Sequence, residues 1–315
     1  MIVTILCMTL LMLLIARVVP DAGVAAPASP KPETEAPAVA PDYANVPYGP
    51  HPRQVLDFWK AKSDRPTPLL VFIHGGGFKG GDKSAASSRE WMKSSDPSKR
   101  LLDSGISLAS IHYRLTPEVT YPAPMEDGAR AVQFLRSKAR EWNLDATRFA
   151  AAGGSAGAGI SMWIGFRDDR ADPHSTDPVA RESTRLTCLV VYQGQCSYDP
   201  RFVKIHLPGD AYKNPCLPPL FGITPDQILD PPPEANWKMI DSAAITHLRS
   251  NAPPLYTSYR MSLSDTTGDI HHPNHGKLLK ERYDALGLEC TLVTKDTPTP
   301  YESELDFLRR HFGLA

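Results

Sequence analysis

Residues 148–157 of the chain are RFAAAGGSAG, and this stretch places Ser155 between glycines at 153 and 157. The apolar segment before the glycines predicts a short buried strand, and residues 159–166 predict a helix with little polar surface. Glycines on both sides of a serine permit a tight strand-to-helix turn with the serine strained and exposed at its tip. The pattern predicts a nucleophile at a helix N-terminus, where backbone N–H groups favour negative charge. The alternative is an ordinary glycine-rich turn.

A second glycine-rich motif follows an apolar run earlier in the chain. Residues 68–73 are PLLVFI, and His74-Gly75-Gly76-Gly77 comes directly after them. A run that is apolar on both faces predicts a central strand of a parallel sheet. Consecutive glycines let backbone N–H groups face a site without side chains in the way, as an oxyanion hole requires. The two motifs therefore indicate acyl-transfer chemistry at one site.

With these two motifs the chain resembles the α/β-hydrolase superfamily, and within it the hormone-sensitive-lipase-like and related carboxylesterases. The similarity extends over residues 66–170 and, more weakly, from residue 185 to the C-terminus. It includes a strand that ends in a Tyr-Arg-Leu sequence at 113–115 and a helix from residue 121 to Trp142. The resemblance implies an α/β-hydrolase fold: a mostly parallel, doubly wound sheet with a small cap insertion.

The same resemblance implies a serine esterase that hydrolyses a carboxylic ester through an acyl-enzyme on Ser155. The oxyanion hole would consist of the backbone N–H groups of Gly76, Gly77 and Ala156. No metal or organic cofactor is implied, and the substrate would be a small-molecule ester or an ester linked to a polysaccharide. Within the similar region, Asp127 and His112 are expected to be structural.

The acid of a serine–histidine–acid triad is expected after the strand predicted at residues 254–261. The loop that follows this strand contains Asp265 and Asp269. In relatives this acid lies in a Gly-x-x-Asp-like loop, with a proline four residues later and a helix beyond. Pro273 and residues 276–286 match those features. The resemblance therefore favours Asp269 as the acid, with Asp265 as the alternative.

In relatives the catalytic histidine lies in the loop after the last strand, which is predicted here at residues 290–296. That loop contains no histidine in this chain, and His311 lies too far beyond it. Three histidines instead lie beside the candidate acid: His271, His272 and His275. A triad depends on geometry rather than on chain order, so we expect His272 or His271 to act as the base. The alternative is a protein that has lost its base and uses the hydrolase fold for binding or as a scaffold.

Length, charge and composition argue for one globular domain that does not bind nucleic acid. The chain has 315 residues and a formal net charge of -1, which suffices for one sizeable domain. It has no basic stripe, zinc-finger spacing or internal repeat, so nucleic acid is not an expected partner.

The N-terminal residues 1–26 predict a secretory signal peptide. Their apolar run is shorter than the roughly 20 residues that span a membrane, and Val24-Ala25-Ala26 offers small residues for cleavage. The prediction is therefore a secreted or periplasmic protein. The alternative is an uncleaved anchor that holds the domain at a membrane, outside the cytoplasm.

Domain boundaries and cysteines complete the sequence-based expectations. Residues 27–50 are rich in Pro and Ala and predict an extended linker, followed by the hydrolase domain at 51–315 with its cap at 197–250. Folded structure is expected to begin near His51 or Val55. Four cysteines follow the signal peptide: Cys188 and Cys290 are expected to be buried thiols, whereas Cys196 and Cys216 are candidates for a disulfide in an oxidising compartment.

Overall fold

The computed structural model describes residues 39–87, 96–297 and 299–314; the predicted signal peptide and the first part of the predicted linker lie outside them. The strands of the described residues are β1 (Tyr43–Pro47), β2 (Val55–Trp59), β3 (Thr67–Ile73), β4 (Ser107–Ile111), β5 (Leu144–Gly154), β6 (Cys188–Tyr192), β7 (Leu255–Ser258) and β8 (Cys290–Val293). They form one sheet in the order β1-β2-β4-β3-β5-β6-β7-β8. The pairs β1–β2 and β2–β4 are antiparallel, and all other neighbours are parallel. The predicted mostly parallel sheet is confirmed.

Helices connect most of these strands. In the described residues the α-helices are α1 (Pro97–Asp103), α2 (Ala123–Ser137), α3 (Ala139–Trp142), α4 (Ala156–Phe166), α5 (Pro200–His206), α6 (Leu217–Phe221), α7 (Pro233–Asp241), α8 (Asn274–Ala285) and α9 (Glu304–Phe312). Helices α5, α6 and α7 lie between β6 and β7, in the segment predicted to form a cap. The helix predicted from residue 121 to Trp142 is divided into α2 and α3 at Lys138. None of the helices in the described ranges has the length and apolar character needed to cross a bilayer.

The central strand β3 is buried along its whole length, as its apolar sequence predicts. Its side chains alternate between two hydrophobic cores, because successive residues of a strand point to opposite faces of the sheet. Val71 belongs to the core that contains Ile160 of α4, and Phe72 belongs to the core that contains Leu101 of α1 and Phe307 of α9. Helices therefore cover both faces of the sheet.

Helix α4 lies in the interior, and all of its residues are buried. It begins at Ala156, three residues before the predicted start, and β5 is longer at both ends than the predicted strand. Gly128 of α2 permits close packing, because a Cβ at this position would collide with Ile160. A helix that is apolar on all sides is stable only in such a buried position.

The prediction that folded structure begins near His51 or Val55 is wrong. Strand β1 lies inside the predicted linker and pairs with β2, and Tyr43 stacks on Phe58 at a ring-centroid distance of 6.1 Å. The indole N–H of Trp59 also donates to the carbonyl oxygen of Val39 at 2.7 Å. A Pro/Ala-rich composition did not reveal this strand, because an edge strand tolerates proline and needs few apolar residues.

All four cysteines of the described domain are free thiols, and Cys188 and Cys290 are buried as predicted. The suggested bridge between Cys196 and Cys216 is not formed. The Cys196 Sγ lies 3.3 Å from Nδ1 of His275, whereas the Cys216 Sγ packs against Gly77. The two thiols are held at different places by their own neighbours, which spacing in the sequence could not indicate.

Candidate active site

Ser155 occupies a one-residue turn between β5 and α4. Its backbone has φ 51° and ψ -117°, a conformation that a residue other than glycine adopts rarely. Gly153 and Gly157 flank it because the end of β3 passes close by: a Cβ at either position would collide with the carbonyl oxygen of Ile73. The spacing of glycines and serine in the motif therefore follows from the close approach of β3, β5 and α4.

The loop between β7 and α8 brings a histidine to this serine. Nε2 of His271 lies 2.9 Å from the Ser155 Oγ, and Nδ1 of His271 lies 2.9 Å from Oδ1 of Asp269. The same Oδ1 accepts the backbone N–H of His271 at 2.8 Å, so the carboxylate holds both the ring and the chain of this residue. Because a carboxylate accepts, Nδ1 carries the ring proton, and Nε2 is left to accept the serine proton.

The neighbouring histidines of this loop have other contacts. Nε2 of His272 donates to the carbonyl oxygen of Asp265 at 2.9 Å, and its Nδ1 accepts the backbone N–H of Asn274 at 3.1 Å. His275 is fully buried beside Cys196, and burial lowers its pKa to about 3. Of the two histidines expected as the base, the structure therefore brings His271 to Ser155 and places His272 where both ring nitrogens hold the loop backbone.

The two candidate acids also differ in their contacts. Asp269 contacts His271, and its side chain is 47% exposed. Oδ1 of Asp265 instead accepts the side-chain hydroxyl of Thr267 at 2.6 Å and its backbone N–H at 2.8 Å. These hydrogen bonds close a turn between Asp265 and Thr267, and they lower the pKa of the Asp265 carboxyl group. Asp269 is thus the carboxylate placed beside a ring nitrogen of the histidine.

The glycine loop after β3 lies next to the elbow. Gly76 has φ 110° and Gly77 has φ 60°, conformations that favour glycine. His74 holds the start of the loop: its Nδ1–H donates to the carbonyl oxygen of Gly75 at 2.7 Å, and its ring stacks on Tyr113. Burial lowers the pKa of His74 to about 4, so this imidazole is neutral at pH 7.

Ser155, His271 and the residues expected to form the oxyanion hole share one cavity of about 330 Å³. The cavity is lined by Gly76, Gly77 and Ala156 and by side chains with apolar surface that include Phe78, Tyr198, Leu217 and Ile270. The cap supplies Asn214 and Cys216 as well as Leu217.

Two buried residues at this cavity were not predicted. The Tyr198 hydroxyl donates to Oε1 of Gln195 at 3.1 Å and lies 3.3 Å from the Ser155 carbonyl oxygen. Nε2 of Gln195 donates to the carbonyl oxygen of Gln193 at 3.1 Å. Neither residue belongs to a motif, so the sequence contains no signal for this network.

Comparison with known families and curated proteins identifies relatives of this chain. The BD-FAE family model matches residues 56–192. Probable carboxylesterase 6 of Arabidopsis thaliana is 38% identical over 105 residues, which are 32% of this chain and 30% of that protein. Probable carboxylic ester hydrolase LipM of Mycobacterium tuberculosis is 27% identical over 223 residues, 68% of this chain and 47% of that protein. The chain thus spans less than half the length of these curated relatives.

Solved structures with the same fold include two bifunctional proteins. An acetyl ester-xyloside bifunctional hydrolase from Caldicellulosiruptor lactoaceticus has a TM-score of 0.60 at 21% identity, over 81% of each chain. A bifunctional GH43-CE protein of Bacteroides eggerthii has a TM-score of 0.65 at 18% identity, over 85% of this chain and 38% of that one. At this level of identity the likeness shows the fold, and the predicted α/β-hydrolase fold is confirmed.

Proposed function

Because this chain belongs to the α/β-hydrolase superfamily and is of its carboxylesterase type, we propose that it hydrolyses carboxylic esters through an acyl-enzyme on Ser155. The observation that supports this most directly is the continuous set of hydrogen bonds from Asp269 through His271 to Ser155, with 2.9 Å at each step. The alternative of a binding protein without a base rested on the missing loop histidine. A histidine beside the serine hydroxyl argues against that alternative.

In the proposed reaction, the Ser155 Oγ attacks the carbonyl carbon of the ester while Nε2 of His271 takes the hydroxyl proton. Asp269 stabilises the imidazolium that forms and keeps the ring in position. His271 then gives the proton to the departing alkoxide, which leaves as the alcohol. A water molecule attacks the acyl-enzyme with His271 again as base, and the acid is released with Ser155 restored.

The oxyanion of each tetrahedral intermediate would accept hydrogen bonds from backbone N–H groups of Gly76, Gly77 and Ala156. Ala156 is the first residue of α4, so its N–H has no partner within the helix and lies at the positive end of the helix dipole. The positive φ angles of Gly76 and Gly77 allow the glycine loop to turn its N–H groups toward the cavity that both residues line. Such preorganised donors act where charge develops in the transition state.

The proposed substrate is an ester with a short acyl group, either of a small alcohol or of a polysaccharide. A cavity of about 330 Å³ with aromatic and aliphatic walls suits a small group beside Ser155. A carbohydrate alcohol is supported by two proteins of similar structure, an acetyl ester-xyloside bifunctional hydrolase and a carbohydrate esterase from gut microbiota. The proposed location is outside the cytoplasm, supported by the apolar run near Met1.

Replacing Asp269 with Asn is expected to lower kcat for 4-nitrophenyl acetate by about 10⁴-fold, because the amide would favour the wrong tautomer of His271. The matched control is Asp265→Asn in the same loop, whose carboxylate contacts Thr267 and not the histidine. Its kcat is expected to stay within about threefold of the unmodified protein, since surface changes away from the site have small effects. Equal losses in the two variants would refute the assignment of Asp269.

Replacing Gly77 with Ala is expected to lower kcat by about 10²-fold, the effect of losing one oxyanion donor. A Cβ at this position would collide with the Cys216 Sγ, and Gly77 has φ 60°, so either Cys216 or the strained glycine loop must shift. Gly287→Ala is the control: Gly287 has φ 68°, and a Cβ there would meet no atom within 4 Å. Both variants carry similar backbone strain, and melting temperatures would measure it. An unchanged kcat in Gly77→Ala would contradict the proposed oxyanion hole.

A further inference from the structure

Asn214 is a cap residue that lines the cavity beside Ser155. Its Oδ1 accepts the backbone N–H of Cys216 at 3.0 Å. Only the oxygen of a side-chain amide can accept this hydrogen, so the contact also determines where the amide nitrogen lies. The orientation of the side chain is therefore set by the cap itself, before any substrate binds.

The amide nitrogen of Asn214 is left with two N–H donors. The hydrogen bond that its oxygen accepts from Cys216 is the one side-chain hydrogen bond of Asn214 within residues 39–87, 96–297 and 299–314. Nδ2 of Asn214 has no hydrogen-bond partner in those ranges, and it is not one of the buried side-chain atoms that lack a partner there. This nitrogen is therefore accessible from the cavity. It can donate to a molecule that enters the cavity.

The other uncharged polar side chains of the described cavity wall are already engaged. Gln195 donates from its Nε2 to the carbonyl oxygens of Gln193 at 3.1 Å and Ile270 at 3.5 Å, and its Oε1 accepts the Tyr198 hydroxyl, which thereby uses its single proton. Among the described residues that line this cavity, and apart from the Ser155–His271 pair, Asn214 is the one whose side chain still has a strong hydrogen-bond donor without an acceptor.

The position of Asn214 relative to the glycine loop is fixed through Cys216. Asn214 closes a turn with the backbone N–H of Cys216, and the Cys216 Sγ lies next to Gly77, the residue proposed to bind the oxyanion. Ser155 and Asn214 line the same cavity. A substrate held at Ser155 therefore shares this cavity with the free N–H groups of the Asn214 side chain.

We propose that Nδ2 of Asn214 donates a hydrogen bond to the substrate and selects esters with an ether, hydroxyl or carbonyl oxygen near the reacting carbonyl. This inference rests on the proposed ester hydrolysis at Ser155. An apolar group that covers Nδ2 would remove it from water without replacing its hydrogen bonds, whereas an oxygen at that point would accept one. The selected class is oxygen-bearing acyl or alcohol groups, rather than plain alkyl groups of the same size.

Two pairs of esters test this proposal, because the members of each pair differ only by a CH₂ replaced by oxygen. On the acyl side they are 4-nitrophenyl butanoate and 4-nitrophenyl methoxyacetate; on the alcohol side they are cyclohexyl acetate and tetrahydropyran-4-yl acetate. Dissociation constants would be measured with full-length Ser155→Ala protein, which cannot form the acyl-enzyme. The second measurement uses the same protein with Asn214→Ala or Asn214→Asp added.

The expected result is that either added substitution reduces the preference for the oxygen-containing member of at least one pair by about five- to tenfold. Asn214→Asp keeps an acceptor for the Cys216 N–H and removes the donor but adds a negative charge, whereas Asn214→Ala removes the donor without adding charge; a loss of preference common to both variants is therefore due to the missing donor. Ratios within a pair cancel general changes in the cavity. Unchanged ratios in both pairs would overturn the proposal.

Turnover of the same four esters by the protein with Ser155 present separates this inference from the proposed function. If none of them is hydrolysed, ester hydrolysis at Ser155 is contradicted, while the binding ratios still decide the role of Asn214. If they are hydrolysed and the ratios do not change, the esterase proposal stands and the role of Asn214 is refuted.

Discussion

Replacing Ser155 with Ala is expected to lower the kcat for 4-nitrophenyl acetate by about 10⁶-fold, the loss measured when a well-studied serine hydrolase loses its nucleophile. The hydroxyl of Ser155 lies 2.9 Å from Nε2 of His271 in a turn with φ 51°, so it is both activated and exposed at the tip of the elbow. The initial hydrolysis rate of the purified variant, corrected for the buffer rate, measures this effect.

The matched control is Ser161→Ala, a second serine on the same helix α4. The Ser161 hydroxyl is buried and donates to the carbonyl oxygen of Gly157 at 2.8 Å, so its loss does not remove a group from the cavity. Its kcat is expected to remain within about threefold of the unmodified protein. A fluorophosphonate probe should label the control and fail to label Ser155→Ala. Equal turnover by Ser155→Ala and the unmodified protein would rule out the proposed acyl-enzyme.

Replacing His271 with Ala is the second change with a very large expected effect, again about 10⁶-fold in kcat. Without Nε2 of His271, no described base remains beside the serine hydroxyl, and the leaving alcohol loses its proton donor. Aryl and alkyl acetates should be compared, because an alkyl leaving group needs the proton more than 4-nitrophenol does.

His272→Ala is the control for His271→Ala, since the two histidines are adjacent in the sequence. The ring of His272 holds the backbone of Asp265 and Asn274 and is 1% exposed, so its loss should lower the melting temperature. The kcat of the folded variant is expected to stay within about tenfold of the unmodified protein, because its ring holds the loop without contacting the serine. The reverse pattern, with an active His271→Ala and an inactive, stable His272→Ala, would assign the base to His272.

Much of the fold is predictable from the sequence because its signals are local. The apolar run of β3 and the glycine-flanked Ser155 each reflect packing demands on a few consecutive residues. Where the local pattern is weak, the sequence does not determine the boundaries of an element. Strand β1 was assigned to a linker because its pairing with β2 depends on residues elsewhere in the chain.

The disulfide prediction was wrong for a similar reason. Cys196 contacts His275 and Cys216 contacts Gly77, and each partner is distant in the sequence. Asn214 was not predicted at all, because a cap segment between β6 and β7 reaches the cavity only after the chain has folded.

The sequence by itself determined the parallel sheet, the strand-to-helix turn at Ser155 and the glycine loop, because steric limits on a tight turn restrict which residues can occupy it. It limited the proposed base to His271 or His272 and could not choose between them. Only the tertiary structure decided which ring lies beside the serine. Asp269 binds both the backbone and the ring of His271, and this contact turns one of two adjacent side chains toward Ser155 and leaves the other to hold the loop.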